Sequence, residues 1–217
     1  MFNSFHFRTT IDLSDETSAN LEKFTRCRRL PFCRELYCSG QKLTSLPLLP
    51  QCRILYCCDN QLDHLPELPQ CTTLLCHNNL LNHLPQIDRC QILGCSNNHL
   101  DSLPDLPNCT ALKCSNNNLT ELPQLHMCQK LICFNNNLKS LPPSPDYLEV
   151  MCHHNQLTEL PPLSRCRKID CSYNLLTQLP DMPHCLKVMC SYNRIDHLPI
   201  LDKCVECIWE DQQSGLD

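Results

Sequence analysis

The chain has 217 residues, among them 21 Cys, 17 Pro and only 3 Gly, and its 18 basic and 23 acidic side chains leave a formal charge of −5. That length can bury a sizeable core, but three glycines are too few for many tight hairpins or a phosphate-cradling loop, which sets aside Rossmann and P-loop readings. The mild negative charge without any basic run argues against a general nucleic-acid binder or a polybasic membrane anchor. No stretch approaches the roughly 18 to 20 apolar residues of a membrane helix. The opening residues, MFNSFHFRTTIDLSDE, lack the basic-then-apolar layout of a secretory signal. The expectation is a cytoplasmic protein in a reducing compartment, with neither membrane nor nucleic acid as a partner.

In chain order, residues 1–32 read as an N-terminal cap. Phe5, Phe7, Thr9, Ile11 and Leu13 alternate as a strand would, and Ser14 with Asp15 can start a helix running to about Arg29 that carries Leu21, Phe24, Cys27 and Leu30. From residue 33 the chain repeats itself. Leu-Pro pairs begin at Leu46, Leu65, Leu84, Leu103, Leu122, Leu141, Leu160, Leu179 and Leu198, always 19 residues apart. Asn60, Asn79, Asn98, Asn117, Asn136, Asn155, Asn174 and Asn193 keep the same step. One cysteine column runs through Cys33, Cys52, Cys71, Cys90, Cys109, Cys128, Cys166, Cys185 and Cys204, with Tyr147 in one slot; the other runs from Cys38 through Cys57, Cys76, Cys95, Cys114, Cys133, Cys152 and Cys171 to Cys190. Residues 33–203 hold nine units, and residues 204–217 a partial tenth and a tail in which Trp209 takes the last cysteine slot, placed to shield the final turn.

The unit is C-x-x-L-x-C-x-x-N-x-L-x-x-L-P-x-L-P-x. It resembles the leucine-rich repeat pattern L-x-x-L-x-L-x-x-N-x-L with Cys at the first and third Leu positions. The Leu-Pro-x-Leu-Pro tail looks like the LPX-type repeats of bacterial type III effector proteins, and the cysteine substitution is also similar to repeats in proteins of large DNA viruses of amoebae. The resemblance implies an α/β leucine-rich repeat solenoid: a parallel sheet on the concave face, an extended convex side and capped ends. The residues agree with it. Around Cys52, Leu55 and Cys57 alternate with Ile54, Tyr56 and Cys58 as in a strand with one buried face. Leu62, Leu65 and Leu68 return to the core, and Pro66 and Pro69 keep the far side extended and deny it helix. The stacked asparagines, Asn60, Asn79, Asn98, Asn117 and Asn136 among them, can satisfy buried peptide groups.

The thiols admit three readings. Free Cys packs as a small apolar side chain, so Cys52, Cys57, Cys71, Cys76, Cys90, Cys95, Cys109, Cys114, Cys128 and Cys133 can be core that relieves overpacking in a short coil. Stacked cysteines ~4.8 Å apart could also form disulfides, which a reducing compartment and an odd total disfavour. Thirdly, a set such as Cys52, Cys57, Cys71 and Cys76 could bind metal, although the C-x4-C spacing is unusual for zinc. Packing is the preferred reading, with no cofactor and no metal; redox sensing or metal binding by the two columns is the alternative function. Cys58 stands apart in an outward slot as a candidate exposed thiol near His64 and His77. No orienting third group or oxyanion hole accompanies it, so no enzyme is expected.

Binding is expected where strand residues face outward. The middle outward column is Tyr37, Tyr56, Leu75, Gly94, Lys113, Ile132, Met151, Asp170 and Met189, mostly large and apolar. Beside it lie His77, Phe134 and His153, and just after the strands His154, Tyr173 and Tyr192. Lys113, Lys130, Lys168 and Lys187 make the later half more basic, diluted by Glu149, Asp170 and Glu206, which favours an acidic stretch on a protein partner. A non-catalytic interaction module follows, binding a partner or host protein, with a homodimer also in view. Asn108-Cys109-Thr110 and Asn118-Leu119-Thr120 match the glycosylation acceptor, a coincidence that repeated asparagines produce easily.

Overall fold

The same three-residue strand recurs at the 19-residue step. A computed structural model describes residues 10–13 and 30–210, and over these the strands are β1 (Thr10–Asp12), β2 (Glu35–Tyr37), β3 (Ile54–Tyr56), β4 (Thr73–Leu75), β5 (Ile92–Gly94), β6 (Ala111–Lys113), β7 (Lys130–Ile132), β8 (Glu149–Met151), β9 (Lys168–Asp170), β10 (Lys187–Met189) and β11 (Glu206–Ile208). They form one parallel sheet in chain order. Each residue pairs with its equivalent one repeat on: Leu55 with Leu74, Leu74 with Leu93, Leu93 with Leu112. Register is held because the central aliphatic of each strand points inward, and a slip of one residue would bury the outward side chains instead.

The interior is a stack of identical layers. Within a layer Cys52, Leu55, Cys57, Leu62, Leu65 and Leu68 are all buried, and the pattern continues through the chain as one cluster. The two thiol columns differ. In the first, each S–H donates to the carbonyl two residues on, Cys52 to Ile54 at 3.2 Å and Cys128 to Lys130 at 3.3 Å, a weak bond that leucine could not make. The second, Cys57, Cys76, Cys95, Cys114, Cys133 and Cys152, is fully enclosed and packs as apolar bulk. Tyr147 fills a first-column slot without disrupting the stack because its own layer compensates. Ser144 stands where the other repeats place an aliphatic, donates to the Cys128 carbonyl at 3.2 Å, and leaves room for the ring, whose hydroxyl donates to the Pro142 carbonyl at 3.1 Å. Overall volume is conserved, as close packing requires.

The asparagines close each turn. Asn79 Oδ1 accepts from Leu62 N at 3.0 Å, while Nδ2 donates to the carbonyls of Cys57 and Cys76, each at 3.0 Å. The same arrangement recurs at Asn60, Asn98, Asn117 and Asn136, and among the described residues no buried polar side-chain atom lacks a partner. Opposite the sheet the proline-rich segments are extended. The only helical turn among the described residues is 3-10, at Leu30–Phe32, so this part of the chain is a β-solenoid.

At the N-terminal end, β1 lies parallel to β2, and Ile11 and Leu13 pack on the core, within the alternation expected there. The expected helix from Ser14 to Arg29 lies outside the described residues. The C-terminal end corrects an expectation. Trp209 is 39% exposed and Val205 86% exposed, and every residue of β11 is exposed, so the indole does not seal the last turn. A single ring at the rim of a sheet edge cannot replace the whole layer of side chains that each earlier repeat receives from its successor.

Candidate functional site: the outward face of the sheet

Three outward columns and a rim make up this face. In the middle column Tyr37 meets Tyr56 edge to face, ring centroids 5.0 Å apart. Leu75, Ile132, Met151 and Met189 continue it, all half-buried, with Ile132 and Met151 paired on neighbouring strands. The first column carries the charges. Lys130 Nζ lies 2.6 Å and Lys168 Nζ 3.5 Å from the Glu149 carboxylate, and Lys187 Nζ lies 2.7 Å from that of Glu206. The hydrogen bond and charge of Lys130 hold the Glu149 carboxyl below its usual range against a smaller opposing effect of burial. The basic later half is therefore neutralised within the sheet. Lys113, in the middle column, is exposed and has no ion pair among the described residues.

Phe134, His153, Tyr173 and Tyr192, which fall in two separate sets in the sequence, are brought into one aromatic run by His154. Phe134 stacks on His153 at 4.5 Å, His153 meets His154 edge to face at 5.1 Å, His154 stacks on Tyr173 at 4.2 Å, and Tyr173 on Tyr192 at 4.0 Å. The imidazoles are also joined by a 2.8 Å contact between their Nδ1 atoms. Burial lowers the His153 pKa, His154 lowers it further, and Asp170 opposes both.

The rim carries a feature that column counting missed. Asp59, Asn78, Asn97, Asn116, Asn135, His154, Tyr173 and Tyr192 occupy one slot, each with φ between 52° and 61°. Left-handed backbone suits Asn and Asp far better than most residues. Their side chains form an outer chain of hydrogen bonds: Asn78 donates to Asp59, Asn97 to Asn78 and Asn116 to Asn97, each at 2.6 Å, and Asn135 to Asn116 at 2.7 Å. The doubled asparagines at 78–79, 97–98, 116–117 and 135–136 were the available signal.

Cys58 corrects another expectation. It is 5% exposed, because Ser39, whose hydroxyl accepts from Cys58 N at 3.1 Å, and His77, whose Nδ1 lies 3.0 Å from Cys58 Sγ, cover it from the neighbouring repeats. Burial pushes its thiol up, against opposing hydrogen bonds from His77 and Ser39, so it is not an exposed nucleophile. His64 is turned away to Asp63. Most core thiols are likewise held protonated: burial drives Cys38, Cys52, Cys90 and Cys128 up to about 12, whereas Cys185 is brought down by its hydrogen bond with Cys166, which goes up in turn. From Cys38 onward the cysteines of the described residues are free thiols. The set Cys52, Cys57, Cys71 and Cys76 does not form a site, and no group of three or more His, Cys, Asp or Glu among the described residues could hold a metal ion. Nor is any helix there long and apolar enough to cross a membrane.

In-register strands, a buried asparagine in each turn and an extended far side define a leucine-rich repeat solenoid. Solved structures bear this out. The chain is similar to YopM, a leucine-rich effector protein from Yersinia pestis, with 28% identity and a TM-score of 0.75 over 88% of this chain and 60% of that one. It is also similar to YopM from Yersinia enterocolitica, at 26% identity and a TM-score of 0.73 over 87% of this chain and 50% of that one. The functional domain of InlJ from Listeria monocytogenes, which includes a cysteine ladder, matches at 25% identity and a TM-score of 0.69, covering 93% of this chain and 46% of that one. The chain thus spans less than two thirds of each. No protein-family model and no curated protein matches it.

Proposed function

We propose that this solenoid is a non-catalytic interaction module that binds a partner protein through the outward face of its sheet, in the setting of an effector acting on host proteins. The observation that carries the reading is the middle column. Tyr37, Tyr56 and Leu75, then Ile132 and Met151, and Met189 beyond Asp170, point away from a core that is complete without them, and large apolar side chains grouped in this way on an outward face are characteristic of recognition surfaces, not of solvated ones. The effector neighbours support the setting, and the sheet face supplies aromatic anchors of the kind that dominate interface energies.

The test is a triple substitution, Tyr56→Ser, Ile132→Asp and Met151→Asp, made in the full chain. Capture from the native cell is compared with wild type by quantitative mass spectrometry, and oligomeric mass by sedimentation. The expected result is loss of at least tenfold in recovery of the specific partner with unchanged circular dichroism, or a lower mass if the partner is a second copy. Identical recovery and identical mass would remove this face from consideration.

A further inference from the structure

Gly94 sits on the middle column between Leu75 and Lys113, paired with both through the sheet register. Its backbone does not call for glycine, since among the described glycines only Gly40 has positive φ. What a side chain would meet is Leu75: a Cβ at position 94 would lie 2.9 Å from Leu75 Cδ2. Glycine thus lets Leu75 lean over this position, and beside it a notch of about 230 Å³ opens in the sheet face, lined by Leu75, His77, Gly94, Ser96, Asn97 and Lys113. His77 is fixed there by its contact with Cys58. Of the four lysines on the strands, three face a carboxylate and only Lys113, at the notch, has none. Among the described residues, a chain of net charge −5 thus places its unneutralised strand lysine beside the notch.

The spacing along the column constrains what can lie on it. Tyr56 stands two strands before Gly94 and Ile132 two strands after, about 9.6 Å each way at the usual strand separation. A polyproline II segment advances about 9.3 Å per three-residue turn and returns its side chains to the same face at that interval. An antiparallel or parallel β-strand laid across the column would not, because its side chains alternate every residue.

We propose that the notch at Gly94 is the specificity pocket of the sheet face: it takes an Asp or Glu side chain from a polyproline II segment of a partner protein, with Lys113 as counter-charge and apolar residues three positions before and after the acid resting on Tyr56 and Ile132. This rests on the reading of the sheet face as the binding surface. The pattern required of the partner is apolar-x-x-acid-x-x-apolar.

A displayed library of random dodecapeptides, selected on the immobilised full chain, tests it. Enriched peptides are expected to share that pattern and, as synthetic fluorescent peptides read by anisotropy, to bind Lys113→Ala and Gly94→Val at least tenfold more weakly than wild type; replacing the acid by its amide in the peptide should do the same. Lys113→Ala changes an exposed side chain, leaves Leu75 and Gly94 as they are, and keeps the test valid if Gly94→Val perturbs folding. Peptides that lose binding on Tyr56→Ser or Ile132→Asp but ignore Lys113→Ala overturn the pocket and leave the sheet face standing. Peptides indifferent to all four variants, or no enrichment above a chain lacking Tyr56 and Ile132, overturn both.

Discussion

Asn116 and Asn117 are neighbours in sequence with the same side chain, yet they belong to different structures. Asn117 is 8% exposed; its Oδ1 accepts from Leu100 N at 3.0 Å and its Nδ2 donates to the carbonyls of Cys95 and Cys114 at 3.1 and 3.0 Å. Asn116 lies on the rim, at φ 54°, and its side chain bonds to other rim amides, those of Asn97 and Asn135. One column satisfies peptide groups that water cannot reach. The other trades amide for amide where water is available and is selected by backbone conformation. Buried hydrogen bonding makes the inner column a condition of folding, whereas the outer column can change to His154, Tyr173 and Tyr192 without loss of the coil. The same contrast runs through the cysteines, which are obligate core inside, and through the sheet face, where repeat-to-repeat variation is free.

The largest test of the interior is alkaline pH. Cys38, Cys52, Cys90, Cys128 and Cys190 are driven up to about 12, first by burial, while in an unfolded chain they ionise near 8.5. Between those values the folded chain holds protons that the unfolded chain has released. Stability is therefore fully present below about pH 8.5 and falls as pH rises toward 12. Five such thiols together remove about 7 kcal/mol per pH unit, comparable to the whole stability of a domain. Unfolding is expected within about two pH units of the free-thiol value, with the thiols that burial has raised becoming reactive in the same step, read by circular dichroism and thiol titration. A native spectrum persisting to pH 11 would mean that the columns are open to solvent.

Next in size is the asparagine pair itself. Asn117→Ala leaves the buried Leu100 N–H unpaired and takes one of two amide donors from each of the Cys95 and Cys114 carbonyls, which keep Asn98 and Asn136, and should lower unfolding free energy by about 2 kcal/mol. Asn116→Ala loses solvent-exposed bonds and puts alanine in left-handed backbone, for roughly 1 kcal/mol, and Asn116→Gly should recover most of that. Urea denaturation of the three variants measures it. Equal losses at both positions would erase the distinction between inner and outer columns.

These contrasts also explain what could be read before the coordinates. A fixed 19-residue step, with Leu, Cys and Asn each in constant phase, can be satisfied only by identical stacked coils, so strand register, core membership of residues such as Cys57 and Leu68, and the Asn60 column all followed. Volume exchange within a layer did not follow from the columns taken singly: Tyr147 looked like an interruption until Ser144 was seen beside it. Outwardness was judged by alternation, and this misplaced Cys58, because a small side chain between Ser39 and His77 is covered by neighbours in adjacent repeats. The Gly94 notch was invisible for a related reason, since the emptiness of a slot depends on how far Leu75 and Lys113 extend across it.

The smallest effect should come from the rim, at the two histidines. With Nδ1 atoms 2.8 Å apart, one ring must donate and the other accept, so a second proton would break the contact. Burial first, then His154, depresses the His153 pKa, and Asp170 across the strand limits the fall. The folded chain therefore binds this proton less readily than the unfolded one. The contribution is present above about pH 6.5 and lost as pH drops below it. Because the ring is only half-buried, screening leaves only a few tenths of a kcal/mol. The clean readout is the imidazole Hε1 shift in a pH titration by NMR. His153 should titrate below a free histidine, and His154→Asn, which suits the left-handed backbone at φ 54°, should raise its midpoint by removing one of the two depressing influences. Once protonated, His153 stacked on Phe134 gains a cation–π contact, which opposes loss of the run. A midpoint for His153 at or above the free value in the wild-type chain would show that the rim imidazoles do not share a proton and that the aromatic run is held by stacking alone.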